Sequence, residues 1–150
     1  PHIPELGRVK GTDRLFRNVD RFETAGDPGI FLARIDGPLY FANAKFIRDW
    51  FLDHVHENPD CRTVIIDASA ISDMDSSSVR SMRELEERLE ARGIALHLAA
   101  IRGPVKDVLA RSGTWAESRA IAHADVATAV QEVAGKDSPL RLRDPGERNG

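Results

Sequence analysis

This chain of 150 residues has one cysteine, Cys61, one tyrosine, Tyr40, two methionines and two tryptophans. A single thiol excludes an internal disulfide framework and points toward a reducing compartment. No run of about 18 apolar residues occurs, so no segment reads as a bilayer-spanning helix. There is no excess of basic charge either. The net charge of −3 argues against nucleic acid as a partner, because phosphate binding leaves a basic footprint. The first residues, Pro1-His2-Ile3-Pro4, carry no initiator methionine and no secretory leader pattern. The expectation is a piece excised from a longer protein, in which case the missing membrane segment describes the piece and not its parent.

Catalytic motifs are absent as well. No G-x-x-x-x-G-K-[ST] loop exists, although Val64-Ile65-Ile66-Asp67 superficially resembles the magnesium-binding strand of a P-loop protein. H-E-x-x-H, paired cysteines and a G-x-S-x-G elbow are all missing. His54 and His56 stand two apart on a predicted helix and so face different ways, and His97 lies inside a predicted strand as a core or sheet-edge residue. The reading is therefore a non-enzyme: no catalytic residue, no metal and no cofactor is expected.

What is present is enough for one globular domain, with 41% apolar and 30% charged residues. Residues 1–14 read as a linker. Leu15 to Glu23 alternates like an edge strand, a turn follows, and Ile30 to Ile35 is a strand apolar on both faces. Phe46, Ile47, Trp50, Phe51 and Val55 recur at helical spacing between Ala42 and about Glu57, where Asn58-Pro59 stops the helix. The aromatics of this helix are expected in the core. Thr63–Ala68 is a buried strand, Ser76–Ala91 an amphipathic helix, and Arg92-Gly93 its stop. That helix should set Val79, Met82, Leu85 and Leu89 inward. Arg80, Arg83, Glu84, Glu87, Arg88 and Glu90 should face outward, with Arg83–Glu87 and Glu84–Arg88 pairs. Ile94–Ile101 is a third apolar strand. A helix opens at Gly103-Pro104 and ends at Ser112-Gly113, a short strand covers Ile121–Ala124, and Asp125 caps a last helix closed by Gly135. Residues 136–150 read as a flexible tail. The sum is an α/β fold: a mixed β-sheet with an N-terminal antiparallel hairpin and later parallel strands, packed against about four α-helices.

The segment with most chemistry is the loop from Asp67 to Ser78. It follows a buried strand and opens a helix at Asp75-Ser76-Ser77-Ser78. Loops at the carboxyl ends of parallel strands gather ligands, and a helix N-terminus favours anions or a phosphoryl group. Asp67, Ser69, Asp75, Ser76 and Ser77 are the candidates for contact with a ligand or partner, and Ser76 is the candidate for phosphorylation. The plainer reading is that Asp75 caps the helix and Asp67 binds loop amides. Asp67, Asp73 and Asp75 would oppose an added phosphate.

Strand, polar loop and Asp-Ser-Ser at a helix start resemble the STAS domain, which is shared by anti-sigma factor antagonists and SulP-type anion transporters. In antagonists the motif is Asp-Ser-Ser-Gly and its first serine is the phosphoacceptor, which corresponds here to Ser76; Ser78 stands in the place of the glycine. Leu6-Gly7-Arg8-Val9-Lys10-Gly11-Thr12 is similar to the linker that follows the SulP membrane region. Arg34-Ile35-Asp36-Gly37-Pro38-Leu39-Tyr40-Phe41-Ala42-Asn43-Ala44 resembles the strand-to-helix passage of that branch. The resemblance implies a STAS domain over 15–135 on the cytoplasmic face of a membrane. It further implies a regulatory and interaction role for a parent that moves sulfate or a similar anion. The implied partners are the membrane domain of that parent, a second copy as a homodimer, and a nucleotide or small anion at the Asp67–Ser78 loop. The alternative is a free-standing anti-sigma factor antagonist switched by serine phosphorylation.

Overall fold

The computed structural model describes the backbone of residues 19–22 and residues 28–134 in full. The linker expected over 1–14, the first part of the strand expected from Leu15 and the tail expected over 136–150 lie outside the described residues.

Five strands form one sheet in chain order: β1 (Val19–Phe22), β2 (Ile30–Ile35), β3 (Thr63–Asp67), β4 (Ala95–Ala99) and β5 (Ile121–His123). Among the described residues, antiparallel pairing is confined to β1 and β2, where Val19 stands opposite Ile35. From β2 to β5 every pairing is parallel. Helices make the parallel crossovers, as parallel strands require: α1 (Phe41–His56), α2 (Ser76–Ala91) and α3 (Gly103–Arg111), with a 3-10 turn at Trp115–Glu117 before β5 and α4 (Val126–Ala134) after it.

Each boundary has a local cause. Asn43 Oδ1 accepts the Tyr40 amide at 2.8 Å, and its Nδ2 donates to Pro38 O at 2.8 Å, which fixes the start of α1. The Asp75 carboxylate accepts the Ser78 amide at the start of α2. The end of α2 is a Schellman turn: Gly93 N–H donates to Glu90 O and Ile94 N–H to Leu89 O, both at 2.9 Å. Gly93 has φ of +74° there, a conformation in which a side chain would be strained. β4 is shorter than the apolar run 94–101 suggests, because Ala100 turns to φ of +58° and ends the ladder.

The two sides of the sheet differ in weight. Phe31, Ile35, Val64, Ile66, Leu96 and Leu98 point to the side covered by α1, α2 and α3, where Ile47, Trp50, Phe51, Leu85 and Leu89 complete the main core. Trp50 and Phe51 are thus core residues, and Trp115 packs partly buried against the same cluster. On the other side, among the described residues, Ile30, Leu32, Ile65 and Ala99 meet Ala129 and Val130 of α4, with Val126, Val133 and Ala134 at the margin.

Two expectations for α2 need correction. Arg83 does not face outward: it is 8% exposed and donates to Glu86, itself 2% exposed, at 2.7 Å. Arg83 does reach Glu87 at 3.4 Å, but Glu84 pairs with Arg48 of α1 rather than with Arg88. The reason is helix packing: α2 lies between α1 and the turn before β5, so its flanks are covered as well as its inner stripe.

Candidate functional site

The loops that leave β2 and β3 are fastened together. Gly37 N–H donates to Ala70 O at 2.9 Å, Leu39 N–H to Asp73 O at 2.9 Å and Asp75 N–H to Leu39 O at 3.2 Å. Leu39 and Met74 form an isolated parallel bridge, with both side chains buried. Gly37 has φ of +88°, so a glycine is needed where the β2 loop turns to meet its neighbour. This pairing extends the sheet beyond β2 and β3 and sets the starts of α1 and α2 side by side.

Asp75 is the hub of that corner. Its Oδ1 accepts the Ser78 amide at 2.9 Å and the Ser77 hydroxyl at 3.0 Å, and its Oδ2 accepts the Phe41 amide at 3.2 Å. Burial pushes this carboxyl up, but the Ser78 hydroxyl and amide, the Ser77 hydroxyl and the Phe41 amide outweigh it and hold it below the usual carboxylate range. Asp73 accepts the Met74 amide at 2.8 Å and the Tyr40 hydroxyl at 3.3 Å. The Asp73 charge holds the Tyr40 phenol above its ordinary value.

Ser76 and Ser77 are exposed. They line a groove of about 570 Å³ between α1 and α2, together with Phe41, Lys45, Arg48 and Arg80. Lys45 and Arg80 are exposed, while Arg48 is tied to Asp49 and Glu84. Asp67 and Ser69 do not line the groove: the Asp67 carboxylate accepts the Ser69 amide at 3.0 Å and closes its own loop. The five candidates therefore divide into Ser76 and Ser77 at the groove, Asp75 as the cap behind them, and Asp67 with Ser69 as a separate loop closure. Among the described residues no group of three His, Cys, Asp or Glu gathers to hold a metal, and no helix is long and apolar enough to cross a membrane.

A family profile of the STAS domain matches residues 21–128. The chain belongs to the STAS family. Over 127 residues, 75% of the chain, this STAS domain is 38% identical to "Probable sulfate transporter 4.2" of Arabidopsis thaliana, but that stretch spans only 18% of the transporter. Its fold is similar to that of the murine Slc26a9 anion transporter in the inward-facing state, with TM-score 0.67 and 19% identity over 77% of the chain and 22% of the transporter. The anti-sigma factor antagonist SpoIIAA in its unphosphorylated form is similar as well, with TM-score 0.60 and 22% identity over 75% of the chain and 95% of the antagonist.

Two features of this STAS domain escaped the sequence reading. Ser78, at the position where antagonists carry glycine, is fully buried. Its Oγ lies 2.7 Å from Leu39 O and 2.6 Å from Asp75 Oδ1, so one hydroxyl ties the cap of α2 to the β2 loop. Glu86 is the second. Besides Arg83 it accepts the Ser118 hydroxyl at 2.7 Å and the Arg119 amide at 2.6 Å. The only hint of the latter was a carboxylate one turn from an arginine on a helix that otherwise displays its charges.

Proposed function

We propose that this STAS domain is the cytoplasmic regulatory and interaction domain of a SulP-type anion transporter, with the membrane domain of the same parent as its first partner. The observation that carries the reading is the 38% identity to a sulfate transporter over three quarters of the chain. The domain itself moves no anion; it acts in the assembly and control of a parent that carries sulfate or a close analogue. The gene upstream of Pro1 tests this directly. Successive hydrophobic spans are expected there, and a start codon immediately before Pro1 would overturn the reading in favour of a free-standing antagonist.

Control is exerted at the helix start. Ser76 is exposed at the N-terminus of α2 and shares a groove with Lys45 and Arg80, which supports a phosphoryl group or a bound anion there. Asp75 beside it opposes the added charge, so the cations are what make the site usable. Phosphopeptide mapping from native cells should find Ser76 modified; repeated coverage of an unmodified Ser76 rules out phosphorylation. Titration of the chain with ATP or GTP should move the amide resonances of residues 67–79, and unmoved resonances at millimolar ligand rule out nucleotide binding.

A further inference from the structure

The two oxygens of Asp75 serve different helices. Oδ1 is committed to α2: it accepts the Ser78 amide at 2.9 Å and the Ser77 hydroxyl at 3.0 Å, and Ser78 Oγ lies 2.6 Å away. Oδ2 reaches the other way, to the Phe41 amide of α1 at 3.2 Å. One arm of the carboxylate thus holds three groups, and the other holds a single longer bond. The arm toward α1 is the weaker one.

The Phe41 amide depends on that arm. The first N–H groups of a helix have no partner within it. At the start of α1 the Tyr40 amide goes to Asn43 Oδ1 and the Ala44 amide to Tyr40 O, while the Phe41 amide goes across to Asp75. The residues at this turn are conspicuous on the surface: Phe41 is 61% exposed and Tyr40 46%. Phe41 also lines the groove on the α1 side, with Ser76 and Ser77 on the α2 side.

We propose that Asp75 couples the two helices, so that a phosphoryl group on Ser76 draws the carboxylate off the Phe41 amide and releases the first turn of α1. The aromatic rim of the groove then shifts when the serine is modified. This regulation rests on Ser76 as the site of modification.

The chemistry follows from charge and position. A phosphoserine brings about −1.5 to −2 charges and three acceptor oxygens to the residue next to Asp75. Two anions then compete for the N–H groups and positive end of one helix. The carboxylate gives way where it is held least. A turn that keeps Oδ1 on the Ser78 amide swings Oδ2 out of line with the Phe41 amide. Lys45 and Arg80 offset part of the added charge, but they line the groove, whereas Asp75 caps the helix behind the serines. The release stays local. Leu39 N–H to Asp73 O, Asp75 N–H to Leu39 O and Asn43 Nδ2 to Pro38 O join the loops without the carboxylate, and Ala44 and Ile47 anchor the rest of α1 in the main core.

The test installs phosphoserine at position 76 of the 150-residue chain during synthesis, so a failure here is separate from a failure to find Ser76 modified in cells. The readout is the Phe41 amide resonance in proton–nitrogen-15 spectra at neutral pH, with Ile47 and Leu85 as references. Phosphoserine should move it toward its position in Asp75→Asn, whose single side-chain oxygen cannot cap both helices. In Asp75→Asn the same phosphoserine should move it at least about twofold less, because only the direct field of the phosphate remains. An unmoved Phe41 resonance would overturn the coupling, as would equal shifts in the two backgrounds. Should Asp75→Asn fail to fold, the scalar coupling across the Phe41–Asp75 hydrogen bond decides. It is expected in the unmodified chain and lost with phosphoserine, and its persistence would overturn the proposal.

Discussion

The two faces of this sheet are built to different standards. One carries three helices and a continuous core from Phe31 to Leu109; the other carries one described helix with two buried side chains. The heavy face fixes geometry. It places the starts of α1 and α2 together and holds Ser76 and Ser77 at the rim of a groove. The light face contributes little area, since its described helix buries only Ala129 and Val130. The lesson is that positions needing a fixed shape lie on the side where rearrangement is expensive.

The sharpest way to break the contrast is in the cores themselves. Phe51→Ala removes a fully buried aromatic from the heavy face and should cost about 3–5 kcal/mol in urea unfolding. Val130→Ala on the light face should cost about 1–2 kcal/mol by the same measurement. Equal losses would mean that the two faces share one level of stability. Next in size, Glu86→Gln removes the buried carboxylate partner of Arg83 and leaves it only the longer contact with the exposed Glu87. It should cost about 2–3 kcal/mol by thermal or urea unfolding. Ser78→Gly restores the residue of the antagonist motif but removes the hydroxyl bound at Leu39 O and Asp75. A loss of about 1–2 kcal/mol is expected, with faster exchange of the Leu39 and Asp75 amides.

The smallest effect is expected at the cap. Asp75→Ala should cost about 1 kcal/mol at neutral pH. Because the Asp75 carboxyl is held below its unfolded value of about 3.9, its contribution is present above that pH and is lost as pH falls through the lowered folded value. Stability curves of the unaltered chain and of Asp75→Ala should therefore converge in acid. Curves that stay parallel down to about pH 2 would show that the carboxylate does not act through its charge.

Much of the fold could be read from periodicity and stop signals. The apolar spacing of Phe46 to Val55, the glycine after Arg92 and the proline after Gly103 each mark a boundary that the coordinates place within a residue or two. The helix cap at Asp75 was legible for the same reason, since it depends on residues three apart. What could not be read depends on neighbours distant in the chain. Arg83 and Glu86 look like surface charges until the turn at Ser118 is laid over them, and Glu84 finds Arg48, 36 residues away, instead of Arg88. Ser78 read as a departure from a motif; its hydroxyl acquires a purpose only when the Leu39 carbonyl arrives from another loop. His97 was legible as a strand residue, but nothing local announced the contact of its ring with His123, 26 residues later.

The Glu86 carboxylate has a wider reach than its burial suggests. It grips the Ser118 hydroxyl and the Arg119 amide, and thereby moors the stretch that begins at Ser112 and Thr114, which form the opposite bank of the groove. A side chain outside the lining of the groove is thus tied to the stretch that carries its far bank. Relatives with the same serines at the helix start but another residue in place of Glu86 would present them to a differently shaped mouth, and would admit different visitors.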